Sequence, residues 1–239
     1  MLKIENTDVF GWESAVRGMR NPMNSWDQSD SNFSCEECNG CAWNGTRNYS
    51  VKRTEEAIEE SEWCSHSPCR IGANDLKLMK NLAKAGSDHA KYLRMINVTA
   101  DITAMQVWWM EFDTYKVGTV RNSCSKMHKI HVKEFTKDDF EHRGIDEVGG
   151  WTEAVFEHVI GTCNGLRDLF NETQDKKYWR ALIELLPEGY KMRATVQLNY
   201  EVLRHQYHAR KNHKVIEWHE YCAWIESLPY AKELIIGEE

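Results

Sequence analysis

Proline is scarce in this chain, with four in 239 residues, and no run of apolar residues is long enough to span a bilayer. Ten tryptophans against so few prolines predict a compact, largely helical body with aromatic-rich packing. An apolar core of signal-peptide length is also missing from the opening MLKIENTDVFGW, so the expected compartment is the cytoplasm. The eight cysteines then read as thiols or metal ligands rather than as a disulfide framework. Excess positive charge is lacking too: 30 Lys and Arg face 37 Asp and Glu, a net charge of −7. That balance argues against a general nucleic-acid coat, which needs cations to neutralise phosphates. A small anion held in a local basic pocket stays compatible with it. One stretch reverses the balance. TYKVGTVRNSCSKMHKIH, residues 114–131, has no acid, and it carries Lys116, Arg121, Lys126, Lys129 and two histidines.

The length suits one domain, or one domain with a sizeable insertion. Residues 1–26 read as the N-terminal segment of the core and 71–239 as its main body. Between them, residues 27–70 are rich in Ser, Asn, Gly and Cys and offer little to bury, so they read as a loop-like insertion. From Asp75 the pattern turns regular: Leu76, Met79 and Leu82 recur at helical spacing, with Gly86 as the stop. Residues 90–103 are rich in β-branched and aromatic side chains and predict a strand. Met105, Trp108, Trp109 and Phe112 then share one helical stripe. In the basic stretch, Gly118 and Asn122-Ser123 interrupt any regular helix. Two helices are expected between Trp151 and Pro187. Beyond them Met192, Ala194, Val196 and Leu198 alternate with polar residues, the pattern of a half-buried strand. The last segment reads as one or two helices. The class is α+β, a small sheet surrounded by helices.

Four groups of residues bear on the chemistry of a site. Cys35, Cys38 and Cys41, with Cys64 and Cys69 later and His66 between them, fit a structural zinc, part of an iron–sulfur ligand run, or a loop of free thiols. Cys124, between two serines and four residues before His128, has the elements of a Cys/His pair, although a cysteine in a Ser-rich turn is more often inert. His205, His208, His213 and His219 lack an accompanying carboxylate pair and read as solvated helix histidines. The basic stretch itself supplies Ser, Thr, Asn and Gly alongside its cations, which suits a phosphate or a pyrimidine. It follows an aromatic helix able to wall a flat ligand.

Tyr115 to His128 resembles the signature of the flavin-dependent thymidylate synthases (the ThyX family), which runs Arg-His-Arg, two residues, Ser, one residue, Asn, two residues, Ser, one residue, Arg-Tyr. Asn122 and Ser125 match at the family's spacing. Tyr115, Lys116 and Val117 replace the Arg-His-Arg, Val120 replaces the first Ser, and Met127-His128 replace Arg-Tyr. Asp88-His89 lies where the family has Glu-His. Leu186-Pro187 and Asn199 fall in register with the family's downstream region, and Arg210 stands at its substrate-contacting arginine, with Lys211 one residue away. Two further departures are Ile183 and Glu201, each where the family has an arginine.

The resemblance covers residues 75–230 and leaves the Cys-rich segment outside. It implies a family-like homotetramer that binds FAD and a pyrimidine nucleotide such as dUMP. The implied reaction is reductive one-carbon transfer to C5 without a protein nucleophile. By the same resemblance, Asn122, Ser123, Ser125, Arg210 and Lys211 would face the nucleotide, Arg210 being the catalytic position, and His89, Lys116 and Asn199 would lie nearer the flavin. The missing arginines keep two alternatives open: a non-catalytic nucleotide-binding or sequestering descendant of the same fold, and a protein-interaction module. Each lost charge-assisted hydrogen bond is worth about 1.5–3 kcal/mol.

Overall fold

The computed structural model describes residues 1–33, the two-residue strand Tyr49–Ser50 and residues 70–237. Cys35, Cys38, Cys41, Cys64 and Cys69, with their proposed metal, lie outside the described residues, as does His66. In chain order come strand β1 (Lys3–Phe10), helix α1 (Trp12–Arg20), β2 (Tyr49–Ser50), α2 (Ala73–Lys84), β3 (Asn97–Met105) and α3 (Gln106–Phe112). These are followed by β4 (Val120–Ser123), α4 (Lys126–Lys129), α5 (Arg143–Val148), α6 (Trp151–Thr173) and α7 (Lys176–Leu185). The chain closes with β5 (Lys191–Asn199), α8 (Tyr200–Arg210), α9 (Ile216–Glu226) and a π-helical turn, Lys232–Ile236. The strands form one sheet in the order β2-β1-β3-β5-β4. Mixed helix and sheet is the architecture expected for this chain.

β3 and β5 alternate strictly. Val98, Ala100, Ile102 and Ala104 are buried on β3, as are Met192, Ala194, Val196 and Leu198 on β5. A period of two with a polar opposite face is what a half-buried strand demands. One expectation shifts. Strand was predicted over 90–103, but Ala90–Met95 is a 3-10 helix and extended structure begins at Asn97. Tyr92 and Leu93 carried the strand signal, yet both are buried inside that turn, and the Tyr92 hydroxyl donates to the Met79 carbonyl at 2.8 Å. Packing overrode propensity here. The basic stretch is likewise more ordered than a loop, since it contains β4 and α4.

The chain divides into two compact units. The first comprises residues 1–3, 102–114 and 122–194. Its core gathers Ile130, Phe135, Phe140, Phe156, Cys163 and Leu182, with Trp179, Ile183 and Tyr190 packed against them. On α3 the rings of Trp108, Trp109 and Phe112 lie 5.0–5.3 Å apart between centroids. Trp109 anchors the helix by donating its indole N–H to the Met192 carbonyl at 3.0 Å.

The second unit comprises residues 4–101, 115–121 and 195–239. Here the Trp12 ring meets Tyr200 and Tyr230 edge-on. A buried polar knot joins α1 to α2. Arg20 donates through Nε to Asp75 Oδ1 at 2.6 Å, and the other carboxylate oxygen accepts from the hydroxyls of Ser29 and Ser31, each at 2.6 Å. Arg20 and Asp75 are only 4% and 0% exposed. Beside the knot, Asn32 and Arg70 exchange two backbone hydrogen bonds at 2.9 and 3.0 Å.

Candidate functional site

The second unit brings together the aromatic and cationic residues of two distant segments. Arg210 ends α8, and its Nε donates to the Tyr115 hydroxyl at 2.8 Å. Its guanidinium carbon lies 4.6 Å from the centroid of the Trp218 ring and 5.4 Å from that of Tyr115. Trp218 is fully buried on α9, so this cation–π contact has a fixed floor. His205 meets Tyr115 edge-on, His213 does the same to Trp218, and Tyr221 continues the stack at 5.5 Å. Below, the Tyr221 hydroxyl donates to Gln206 Oε1 at 2.7 Å. Burial pushes the Tyr221 phenol well above its usual range, so it stays neutral. Arg210 is thus half-buried and oriented by aromatic rings, whereas Lys211, the alternative for the same role, is exposed at the helix C-cap.

Asn199 is the N-cap of α8: its Oδ1 accepts from the Val202 amide at 3.0 Å. Gly118 lies against it with φ +75, and a Cβ there would fall 2.9 Å from Asn199 Nδ2 and 3.0 Å from Val202 Cγ2. The glycine therefore serves both a left-handed turn and a close approach. His89 and Lys116 are exposed. Glu201, in the first turn of α8, accepts from Nε of Arg94 and, at 3.0 Å, from Arg94 Nη2, a two-pronged ion pair. The Glu201 bonds, with a smaller contribution from Asp88, push the Arg94 guanidinium further up.

Asn122, Ser123 and Ser125 belong to the first unit. Asn122 and Ser123 are exposed on β4, and the Ser125 hydroxyl caps α4 by accepting from the His128 amide at 3.3 Å. Lys126 is engaged by Gln106 Oε1. Ile183, at one of the departing positions, is packed against the apolar core of that unit. Cys124 is exposed, and its proposed partner His128 is also exposed. Cys163 and Cys222 are buried, and desolvation raises both thiols, Cys222 to about 11, so neither is a ready thiolate. Among the described residues no group of three or more His, Cys, Asp or Glu side chains is arranged to hold a metal. No helix among them is long and apolar enough to cross a membrane.

Two participants were missed in the sequence. Tyr115 counted only as a lost arginine, and Trp218 was given no role in a site. An arginine followed by an aromatic on the next helix was a signal for Trp218, whereas the sequence carried none for the contact that Tyr115 makes 95 residues away.

No protein-family model matches the chain, and no curated protein matches it either. Solved structures do. A crystal structure of the flavin-dependent thymidylate synthase ThyX from Helicobacter pylori, complexed with FAD and dUMP, superposes with a TM-score of 0.62 at 14% identity. It covers 98% of this chain and 97% of that one. A second structure of the same enzyme with FAD and dUMP gives 0.62 at 12% identity, with 100% of both chains covered. The fold is the ThyX fold. At these identities the likeness extends to architecture, end to end, and the resemblance read from residues 75–230 agrees with it.

Proposed function

We propose that this chain is a divergent flavin-dependent thymidylate-synthase-like protein that binds a pyrimidine nucleoside monophosphate, dUMP-like, through Arg210. The observation that carries this reading is the guanidinium held by Trp218 and Tyr115 at the end of α8. A stacked, hydrogen-bonded arginine loses little freedom on meeting a phosphate, and the resulting bond is charge-assisted. Lys211 adds long-range attraction from its exposed position.

The donors of the second unit fit an anionic cofactor. His89 and Lys116 are exposed, and the charge of Glu201 is neutralised by Arg94. His89 and Lys116 would hold FAD, with Asn199 ordering the start of α8. When bound, the flavin supplies the reducing equivalents for one-carbon transfer to C5 of the pyrimidine. The chain's own residues bind and orient the nucleotide. A family-like homotetramer belongs to the same reading.

A second reading is favoured by one observation, the Arg94–Glu201 pair. With Nε and Nη2 of Arg94 already engaged by Glu201, that arginine offers a diphosphate fewer donors, whereas Arg210 is no part of the pair. On that reading the chain binds the nucleotide without catalysis.

One measurement separates the two. Freshly purified protein should show flavin absorption at about 370 and 450 nm, and dUMP should bind it with Arg210→Ala lowering affinity about 10–100-fold. Nucleotide binding in colourless protein that takes up no added FAD supports the second reading. An Arg210→Ala variant that binds dUMP as the wild type does would defeat both.

A further inference from the structure

The second unit also holds a cavity of about 150 Å³ that shares no residue with the Arg210 cluster. It lies against the Arg20–Asp75 knot, with Arg20 itself in its wall. Arg20 is 4% exposed, and the knot uses only part of its guanidinium. Nε donates to Asp75, and Nη1 donates to the carbonyl and the hydroxyl of Ser25 at 3.1 and 3.2 Å. Among the described residues Nη2 has no partner. One turn earlier on α1, Arg17 lines the same cavity. It is exposed, and among the described residues it makes no hydrogen bond or ion pair.

The cavity also has aromatic walls, from Trp26 and Phe33. Trp26 is 53% exposed, yet its ring is held in place, because the indole N–H donates to Asn21 Oδ1 at 2.8 Å. Water can satisfy Nη2, but it gains nothing from the ring faces, so an organic ring that displaces it has the advantage. A cavity of this size takes a single substituted ring rather than a whole nucleotide. Charge narrows the choice further. Two guanidinium groups favour an anion, and their planar donors match a carboxylate. The Asp75 carboxylate behind Arg20 and the Glu13 carboxylate in the wall repel a second negative charge, so a monoanion suits the cavity better than a phosphate dianion.

We propose that this cavity binds a small aromatic monocarboxylate, its ring on Trp26 and Phe33 and its carboxylate accepting from Arg20 Nη2, with Arg17 as the second cation. The site is separate from whatever Arg210 binds.

The test uses the full chain and benzoate, titrated by ligand-observed NMR, with benzamide, acetate and phenyl phosphate as comparisons. Benzoate should bind with a dissociation constant of about 1 mM. Benzamide keeps the ring without the charge, and acetate keeps the charge without the ring. Each should bind about tenfold more weakly than benzoate. Trp26→Ala and Arg17→Ala should each weaken benzoate about tenfold. Both side chains are exposed, so circular dichroism and the thermal midpoint should stay native, whereas Arg20 is left intact because it holds the knot. The proposal is overturned if the wild type does not bind benzoate, or if both variants bind it as the wild type does. Benzamide binding as tightly as benzoate, or phenyl phosphate binding more tightly, also overturns it. None of these outcomes depends on dUMP, so the Arg210 reading stands or falls apart from them.

Discussion

Asp75 is fully buried, and its charge is answered by Arg20 and by two serine hydroxyls. Removing one member of such a pair leaves the other charge stranded in a low-dielectric interior, at a cost of about 3–5 kcal/mol. Asp75→Asn should therefore lower stability by that order in urea denaturation, far more than an exposed substitution. The pH dependence follows from the direction of the shift. Burial pushes the Asp75 carboxyl up, but the hydroxyls of Ser29 and Ser31 and the Arg20 guanidinium more than offset it, leaving it below 3.8. A depressed folded value means the contribution is fully present above the unfolded value of about 3.9 and is lost as pH falls through the folded one. The stability gap between wild type and Asp75→Asn should thus be constant near neutrality and narrow below about pH 4. None of this was legible in the sequence. Asp75 looked like a helix-start acid, and its partner lies 55 residues away. Arg210 was legible through the resemblance, whereas Tyr115 was not, because a substituted signature position gives no sign of what the new side chain will touch.

Helix α8 begins at a capping asparagine, and the sequence had assigned Asn199 to the flavin side alone. Asn199→Ala should destabilise the chain by about 1 kcal/mol through loss of the cap, measured by chemical denaturation. Gly118→Ala should cost at least about 1 kcal/mol, since it meets a positive φ together with the Asn199 and Val202 side chains. Helix α6 points the other way. Gly161 and Gly165 lie in its interior, and a Cβ at either would meet nothing within 4 Å. Alanine at each should raise stability by about 0.5–1 kcal/mol, read as a higher denaturation midpoint. Elements whose period matches their burial were readable in advance: β5 by its alternation, α3 by its aromatic stripe, α6 and α7 by length and flanking Pro187. The turn at Ala90–Met95 was not. Its composition is that of a strand, and only the burial of Tyr92 and Leu93 against the rest of the second unit decides otherwise.

Across the whole molecule, the architecture was approached more closely from the ordered resemblance of short motifs than from any one of them. Two matched signature residues would say little by themselves, but they gained weight from Leu186-Pro187, Asn199 and Arg210 falling in sequence. The Cys-rich segment had no such framework. What the fold supplies is the pair of ends from which it departs, tied by the Asn32–Arg70 bridge and standing beside the Arg20–Asp75 knot. Replacing residues 51–69 by a short Gly-Ser linker, which keeps the β2 strand that pairs with β1, should leave the far-ultraviolet circular dichroism native-like and keep thermal unfolding cooperative. Loss of the cooperative transition would show that the segment is part of the folding unit. The bridge thus makes this a socket: a reporter domain or affinity handle with adjacent termini could be spliced in here, with Arg210 left undisturbed as an internal control.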